Sequence, residues 1–324
     1  MTVTPRGSGR VPDFFIAGHP KCGTTALYEM LRRHPQIFMP DFKEPWFFSG
    51  DMRPRFQPAR SGAVPETLEE YLRLFEDAGA DQRVGEASSS YLRSREAAER
   101  IAALRPDARV IAIFREPAGF LRSLHHQMLL DHIETQKDLR KAVALEPDRR
   151  AGRKIPRRSH LPQMLFYSDH VRYAEQLRRF HEALGPEQVL VLIYDDFRAD
   201  NEGTVRQVQR FLGVSDDGPL EALDANPSDR RMRSQQLDGL IHAVSVGTGP
   251  VSRTVKAAVK AASSSAVRDR AMRAARRGLV YGSPQPPDER TMLELRRRFA
   301  GEVVALGEYV GRDLVSLWGY EEPG

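Results

Sequence analysis

The chain has 324 residues, 40% of them hydrophobic and 29% charged, with 49 Lys or Arg against 44 Asp or Glu, which gives a formal net charge of +5. This composition excludes the disordered and collagen-like classes, and the apolar runs are too short for a membrane-spanning helix, which needs roughly 18 residues. The first ten residues lack the apolar stretch of a secretory signal, and Cys22, the single cysteine, excludes an intrachain disulfide and a cysteine-based metal cage, so we expect a cytoplasmic enzyme or binding protein.

The first predicted strand, Phe14–Ala17, is a short apolar run typical of a buried strand in a parallel sheet. It continues as G-H-P-K-C-G-T-T, a turn followed by the start of a helix. In such a turn Gly23 brings backbone N–H groups close to an anion, and we expect Thr24 and Thr25 to cap the helix and donate to phosphate oxygens. The lysine of a nucleotide-triphosphate loop directly follows its second glycine. Here the lysine is Lys21, inside the turn, which indicates a different phosphate geometry.

The next informative segment is Lys43–Phe48, with the sequence K-E-P-W-F-F. It places Glu44 among bulky apolar groups, so we expect burial to raise the pKa of this carboxyl toward a value suited to proton abstraction. A turn that is anchored by its aromatic residues, with Glu44 at the surface, is the alternative. The rival general bases are His19, His125 and His126.

A second basic group follows a second apolar run, Val110–Phe114, which also predicts a buried strand. Arg115 comes directly after this strand, and Pro117 is suited to the first turn of a helix because it lacks an N–H group. Ser123 lies about two turns along that helix. It can share an anion with Arg115 only if the helix runs beside the anion.

The remaining pattern alternates apolar runs with helical spacing. We predict a third strand at Val189–Tyr194 and helical segments at Leu27–Leu31, Phe120–Leu130, Tyr173–Leu184, Val205–Leu212 and Glu289–Val310. This alternation predicts an α/β fold of three layers, a parallel sheet flanked by helices with mainly helical insertions and C-terminal helices. We expect one domain across residues 1–324.

Two blocks are strongly basic. Residues 137–160 contain nine Lys or Arg and three Asp or Glu, and residues 250–278 contain eight and one. They form either an anion-attracting surface or a solvated face, and aromatic residues do not alternate with them as in a platform for single-stranded nucleic acid. We therefore expect no specific nucleic-acid partner, and we predict a mobile basic segment at 245–278.

Three of these segments carry a resemblance to sulfotransferases that use 3′-phosphoadenosine 5′-phosphosulfate (PAPS). The turn at Lys21 resembles the family's 5′-phosphosulfate loop, P-K-[SCA]-G-T-[TS], and the residues from Arg115 to Ser123 resemble its 3′-phosphate motif, R-[DN]-P-x-x-R-x-x-S, with Glu116 at the Asp or Asn position. The K-E-P-W-F-F segment resembles the K-E-P-x-F-F motif of the heparan-sulfate-type branch and of many bacterial members. Val84–Tyr91 resembles the G-E-x-[ST]-P-x-Y region that lines the site, with Ser89 in place of proline.

The resemblance implies a P-loop-type fold, PAPS as cofactor with adenosine 3′,5′-bisphosphate as its product, and no metal. It implies catalytic roles for Glu44 as general base, for Lys21 at the leaving phosphate and for Lys43 near the sulfonate. Glu86, in the region that lines the site, would orient the acceptor or Lys43, or have only a structural role. The cofactor-binding residues that it implies are Lys21, Cys22, Gly23, Thr24, Thr25, Arg115, Ser123 and Arg233.

The function so implied is transfer of a sulfuryl group from PAPS to a hydroxyl or amine of a glycan, lipid or secondary-metabolite acceptor. Two alternatives stay open: a nucleotide or small-molecule kinase with a degenerate phosphate loop, and a non-catalytic polyanion-binding protein. The acceptor, a small molecule or a glycan, would be chosen by the loops 50–70, 131–165 and 240–285, whose shape the sequence does not reveal. The oligomeric state is equally open.

Overall fold

A computed structural model describes residues 10–52, 64–157, 159–218, 231–232, 281–282 and 288–320. Its main sheet has five strands in the order β2-β3-β1-β4-β5, and every neighbouring pair is parallel. These strands are β1 (Phe14–Gly18), β2 (Ile37–Phe38), β3 (Arg83–Ala87), β4 (Arg109–Phe114) and β5 (Val189–Ile193). Two short antiparallel strands, β6 (Arg231–Met232) and β7 (Tyr281–Gly282), form a separate pair.

Helices flank the sheet and fill most connections between its strands. In chain order they are α1 (Thr24–Leu31), α2 (Leu68–Arg73), α3 (Ala97–Leu104), α4 (Pro117–Leu130), α5 (Leu139–Ala144), α6 (Glu146–Arg150), α7 (Tyr167–His170), α8 (Tyr173–Leu184), α9 (Tyr194–Ala199), α10 (Asn201–Leu212), α11 (Glu289–Val310) and α12 (Leu314–Trp318). Short 3₁₀ turns occur at Gly50–Met52, Pro162–Leu165 and Pro186–Gln188.

The predicted α/β fold with a parallel sheet is confirmed, and its physical basis is burial. All five residues of β1 are buried, as are the last five of β4, because helices cover these central strands on both faces. The bounds of the three predicted strands each differ by one residue: β1 continues to Gly18, β4 begins at Arg109, and β5 ends at Ile193 because Tyr194 already begins α9. β2 and β3 were not predicted, since two residues carry no periodic pattern and the sequence R-V-G-E-A of β3 is not an apolar run.

The C-terminal helices pack back onto the body of the molecule. The helix α11 contacts α4 and α8, and α12 follows it after a short turn. The Trp318 indole N–H donates to Asp195 Oδ2 at 3.0 Å, and the Tyr320 hydroxyl donates to Glu116 Oε1 at 2.6 Å. These two bonds attach the C-terminal segment to the residues that follow β5 and β4.

No helix among the described residues is both long and apolar enough to cross a membrane.

The first basic block, 137–160, is largely neutralised by neighbouring carboxylates. Six of its nine basic residues form ion pairs with described acidic residues: Arg140, Lys141, Arg149, Arg150, Arg153 and Lys154. This pairing favours the solvated-face interpretation over an anion-binding surface. The second block, 250–278, and the predicted mobile segment 245–278 lie outside the described residues.

One ion pair of this block is buried and should control stability. Arg149 and Glu134 are 1% and 0% exposed, and two of their nitrogen–oxygen pairs lie 2.7 and 2.8 Å apart. Glu134→Ala leaves the guanidinium buried without its carboxylate, so we expect the free energy of unfolding to fall by about 3–5 kcal/mol in urea titrations. Asp148→Ala, which removes only the exposed pairs with Arg153 and Lys154, should cost far less, because water screens exposed ion pairs. Equal losses in the two variants would contradict this expectation.

Candidate active site

The carboxyl ends of the three central strands meet at one edge of the sheet. β1, β3 and β4 are adjacent and parallel, so the segments that follow Gly18, Ala87 and Phe114 all begin at this edge. In open α/β sheets this edge is where ligands bind. The glycine turn, the residues from Ser88 onward and Arg115 are therefore brought together by topology.

The glycine turn leaves backbone N–H groups available at the start of α1. Gly23 occupies the N-cap position with φ +84°, and no side chain caps the helix. The first bond into the helix runs from Leu27 N–H to Gly23 O at 3.0 Å, so the N–H groups before it lack an intrahelical acceptor. The prediction that Thr24 and Thr25 cap α1 is wrong, because both residues lie inside the helix. They remain well placed to donate to an anion at this end.

Close packing explains the glycines at both ends of the turn. A β-carbon built on Gly23 would lie 2.9 Å from the Phe197 ring, and one on Gly18 would lie 2.9 Å from Ser89 O. The first contact sets the turn against α9, and the second sets it against the segment after β3. Any larger residue at either position would push the turn away from these neighbours.

The Lys21 ammonium lies beside α4 and has no ion pair with a carboxylate of the described residues. Its Nζ lies 3.4 Å from Gln127 Oε1, and Gln127 in turn donates to Asp131. Burial lowers the pKa of Lys21, the nearby charge of Asp131 acts against this, and the Arg115 guanidinium lowers it further. A partly desolvated ammonium without a counter-charge in contact is well suited to bind an anion.

Cys22 contributes no side chain to the site. It is 0% exposed, and burial raises the pKa of its thiol to about 12, so the group stays neutral. Its backbone N–H already donates to His19 O at 3.3 Å within the turn. The predicted contact between Cys22 and the cofactor stays a prediction, and because the side chain is buried it concerns only the backbone of Cys22.

The Arg115 side chain joins the two predicted anion-binding segments. Its Nη1 donates to Lys21 O at 3.0 Å, and its guanidinium lies over the Tyr194 ring, 4.6 Å from the ring centre. Among the described residues no carboxylate forms an ion pair with Arg115. The two cationic side chains therefore flank one region at the sheet edge.

Ser123 lies on the face of α4 that approaches the glycine turn. Gln127, which contacts Lys21, is four residues further on and so lies on the same face of the helix. The Ser123 hydroxyl oxygen is buried, and within the described part of the chain it has no hydrogen-bond partner. The helix thus runs beside the turn, which is the condition for Ser123 and Arg115 to share a ligand.

Glu116 stands at the Asp or Asn position of the family pattern, and its carboxylate is used for contacts inside the protein. Its carboxylate caps α4 by accepting from the N–H groups of Ala118 and Gly119 at 3.0 and 2.6 Å, and it also accepts from Tyr320. The N-terminal N–H groups of α4 are thereby used inside the protein. An anion beside α4 must depend on Arg115 and Ser123 instead.

Glu44 lies in a turn against the end of β3. Its backbone N–H donates to Ala87 O at 3.0 Å, and its φ is +63°. One carboxylate oxygen accepts from Lys43 Nζ at 3.0 Å and from Ser89 Oγ at 2.8 Å. The other accepts from Trp46 Nε1 at 3.0 Å and from Ser89 N–H at 2.9 Å. Lys43 and Glu44 are 20% and 17% exposed, so solvent or an acceptor reaches both.

The expected rise in the pKa of Glu44 is wrong. Burial does act to raise it, but the Lys43 ammonium and the hydrogen bonds from Lys43, Ser89 and Trp46 together outweigh burial and lower this pKa. Two of these polar partners, Lys43 and Trp46, belong to the motif itself, and the third, Ser89, comes from the segment after β3. Glu44 is therefore ionised at neutral pH.

Three other titratable residues of this region, Glu86, His19 and His125, are buried. Glu86 is 0% exposed, accepts from Tyr71 and Tyr91 at 3.1 and 2.6 Å, and has a pKa that burial raises to about 7. His19 is also 0% exposed, and burial lowers its pKa to about 3. Both ring nitrogens of His125 have partners, Tyr167 OH and Lys137 O. These contacts favour structural roles for Glu86, His19 and His125.

Sequence reasoning did not find two further contributors to the site. Gln127 could have been found from its spacing of four residues after Ser123 on one helix face. Ser89 gave no such signal, because its contact with Glu44 joins segments 45 residues apart. Arg233 lies outside the described residues, so its predicted role stays a prediction.

The comparisons with known proteins agree with this geometry. The profile of the sulfotransferase family matches residues 12–218. The chain is 27% identical over 220 residues to human bifunctional heparan sulfate N-deacetylase/N-sulfotransferase 3, covering 63% of this chain and 22% of that protein. It is 30% identical over 208 residues to mouse heparan sulfate glucosamine 3-O-sulfotransferase 3A1, covering 64% of this chain and 47% of that protein. The chain thus matches less than half the length of either relative.

A solved structure is similar over nearly the whole chain. It is the crystal structure of a sulfotransferase from Alicyclobacillus acidocaldarius, with a TM-score of 0.66, 25% sequence identity, and coverage of 96% of this chain and 99% of that one. The fold, the site and the family match lead to one conclusion: the chain belongs to the sulfotransferase family. The resemblance to sulfotransferases seen in the sequence is confirmed at the level of the family.

Proposed function

We propose that this chain transfers a sulfuryl group from PAPS to a hydroxyl or amine of a glycan. The observation that carries the proposal is the contact of Arg115 with the Lys21 carbonyl, which brings two cationic side chains to one edge of the sheet. Among the described residues, no carboxylate forms an ion pair with either cation. A ligand with two phosphate groups complements this arrangement. Adenosine 3′,5′-bisphosphate and its 5′-phosphosulfate are such ligands.

The residues present fit the cofactor at both of its ends. Lys21, the N–H groups of Gly23 and Thr24, and the hydroxyl of Thr25 would hold the 5′ end, where the start of α1 adds its partial positive charge. Arg115 and Ser123 would hold the 3′-phosphate. The buried Ser123 hydroxyl, which has no hydrogen-bond partner among the described residues, supports this assignment, because such a group is costly unless a ligand satisfies it.

Bound PAPS would supply the sulfuryl group, with the 5′-phosphate as leaving group and the acceptor oxygen or nitrogen as nucleophile. Glu44 is ionised and takes the proton that the acceptor loses. Lys21 stabilises the negative charge that develops at the 5′ end. Lys43, whose ammonium contacts Glu44, would place a second positive charge near the transferred group.

A glycan is the acceptor class that the relatives favour. The names of both curated relatives refer to heparan sulfate, a polymer that offers amine and hydroxyl groups. Membership of the sulfotransferase family favours sulfuryl transfer over the kinase alternative. The paired charges of block 137–160 also weaken the polyanion-binding alternative.

Titration calorimetry with adenosine 3′,5′-bisphosphate tests the cofactor assignment. We expect binding by the wild-type chain, and we expect Ser123→Ala to weaken it about 10- to 100-fold, because a hydrogen bond to a charged group contributes about 1.5–3 kcal/mol. Binding of adenosine 5′-monophosphate, which lacks the 3′-phosphate, should be equal in both proteins. Ser316→Ala changes an exposed serine of α12 and serves as the control.

Radiolabelled PAPS with chemically desulfated heparan sulfate tests the acceptor class. Label in the polymer supports a glycan acceptor, whereas label only in lipid or small-molecule acceptors would reassign it. A folded wild-type chain that takes up no bisphosphate would overturn the proposed function itself.

A further inference from the structure

The carboxylate of Glu44 has every lone-pair direction in use. Each of its two oxygens accepts two hydrogen bonds, and the four donors are Lys43 Nζ, Trp46 Nε1, Ser89 N–H and Ser89 Oγ. An ionised carboxylate offers about four acceptor sites. This environment is complete for the ionised form and has no place for a proton.

A general base must nevertheless hold a proton after it acts. Once Glu44 is protonated, one of its oxygens becomes a donor and needs an acceptor. The Lys43 ammonium, the Trp46 indole N–H and the backbone N–H of Ser89 can only donate. The hydroxyl of Ser89 can both donate and accept, and it is the one donor of the four with this property.

We propose that Ser89 is a positioning residue whose hydroxyl changes from donor to acceptor when Glu44 takes the acceptor's proton. The inference rests on the proposed function, in which Glu44 is the base. The proton moves from the acceptor to Glu44 Oε1, and the Ser89 hydroxyl keeps its own hydrogen and rotates to accept from the new carboxylic acid. No other group gains or loses a proton.

The surroundings hold Ser89 in place for this role. Its carbonyl packs against Gly18, where a β-carbon would come within 2.9 Å, so the backbone of Ser89 is held against the glycine turn. Proline, the residue of the family pattern at this position, has neither an N–H nor a hydroxyl. Two charged or titratable groups act on Glu44: Lys43 from its own turn and the buried Glu86 from β3.

The neighbouring serine provides a matched control. The hydroxyl of Ser88 accepts from Trp46 N–H at 3.1 Å and hydrogen-bonds to Glu86, but it is not among the donors to the Glu44 carboxylate. Ser88→Ala therefore loosens the same turn without changing the donors of the carboxylate. Ser89→Thr keeps the hydroxyl and serves as the conservative variant.

The experiment is a pH titration of glutamate carboxyl carbons by ¹³C NMR, with Glu44→Gln to assign the resonance and Glu86→Gln to separate its neighbour. We expect Ser89→Ala to raise the pKa of Glu44, because a charge-assisted bond to the ionised form is about twice as strong as one to the neutral form. The acid limb of kcat/KM for radiolabelled PAPS and desulfated heparan sulfate should move to higher pH accordingly. The kcat of Ser89→Ala should fall about three- to tenfold, and its affinity for the bisphosphate should stay unchanged.

Ser89→Thr should restore both the titration and kcat. Ser88→Ala, compared in the Glu86→Gln background because Ser88 also bonds to Glu86, should leave the acid limb where it is. An active wild type whose titration and acid limb do not move in Ser89→Ala overturns this inference and leaves the proposed function standing. Equal losses in Ser89→Ala and Ser89→Thr would show a merely structural role and also overturn it. A wild type that transfers no sulfuryl group overturns the proposed function, and this inference with it.

Discussion

Lys21→Met is expected to lower the rate of sulfuryl transfer about 10²- to 10³-fold while the chain stays folded. The ammonium is partly buried, and no carboxylate among the described residues pairs with it, so its charge acts on a bound anion almost without competition. Groups that stabilise charge developing in the transition state contribute effects of this size. Methionine is unbranched and one heavy atom shorter than lysine, so it keeps most of the apolar side chain and removes the ammonium.

The measurement is kcat at saturating PAPS, with bisphosphate affinity from calorimetry beside it. We expect kcat to fall more than affinity, because the charge that Lys21 stabilises grows only as the bond to the leaving phosphate breaks. Lys21→Arg, which keeps the charge in a wider planar group, should recover part of the activity. A loss of affinity as large as the loss of kcat would assign Lys21 to binding alone.

The same lysine should set the basic limb of the pH profile. Because burial lowers the pKa of Lys21, the ammonium loses its proton at lower pH than an exposed lysine does. Activity should therefore decline on the alkaline side earlier than expected for an ordinary lysine. Lys21→Met should lack this limb.

The sequence predicts the fold well because the fold depends on local patterns. The apolar runs of β1 and β4 are buried on both faces, and α8 and α11 have the predicted bounds, Tyr173–Leu184 and Glu289–Val310. β2 was not predicted, because a strand of two residues is too short to show a periodic pattern. The end of β5 is missed because Tyr194 is apolar enough to continue a strand, although it begins a helix.

The candidate site is predictable in its residue types but not in its electrostatics. Glycine, lysine and threonine in one short turn indicate an anion site, because helix N-termini and backbone N–H groups act locally. The pKa of Glu44 is lowered first by Lys43, its neighbour in sequence, and then by Ser89, whose contact across 45 residues exists only in three dimensions. The prediction had the wrong sign because it weighed the burial by the turn's aromatic residues and not these polar contacts.

Glu44→Gln is expected to lower kcat about 10²- to 10⁴-fold, the contribution of a well-placed general base. An amide of the same shape cannot take the acceptor's proton. Bisphosphate affinity should not change, because the Glu44 carboxylate bonds to Lys43, Trp46 and Ser89 rather than to the glycine turn or Arg115. Steady-state transfer from PAPS and calorimetry measure the two quantities.

The amide also introduces a local mismatch that the experiment must separate from catalysis. Both oxygens of Glu44 accept two bonds, so the new NH₂ group faces two donors whichever way it is oriented. We expect a loss of about 1–3 kcal/mol in the free energy of unfolding, which urea titration would detect. Glu44→Asp keeps the charge on a side chain that is one methylene shorter, and it should retain a measurable but lower kcat. If Glu44→Gln transfers sulfuryl groups as fast as the wild type, the base lies elsewhere, and the ionised state of Glu44 serves only to orient Lys43.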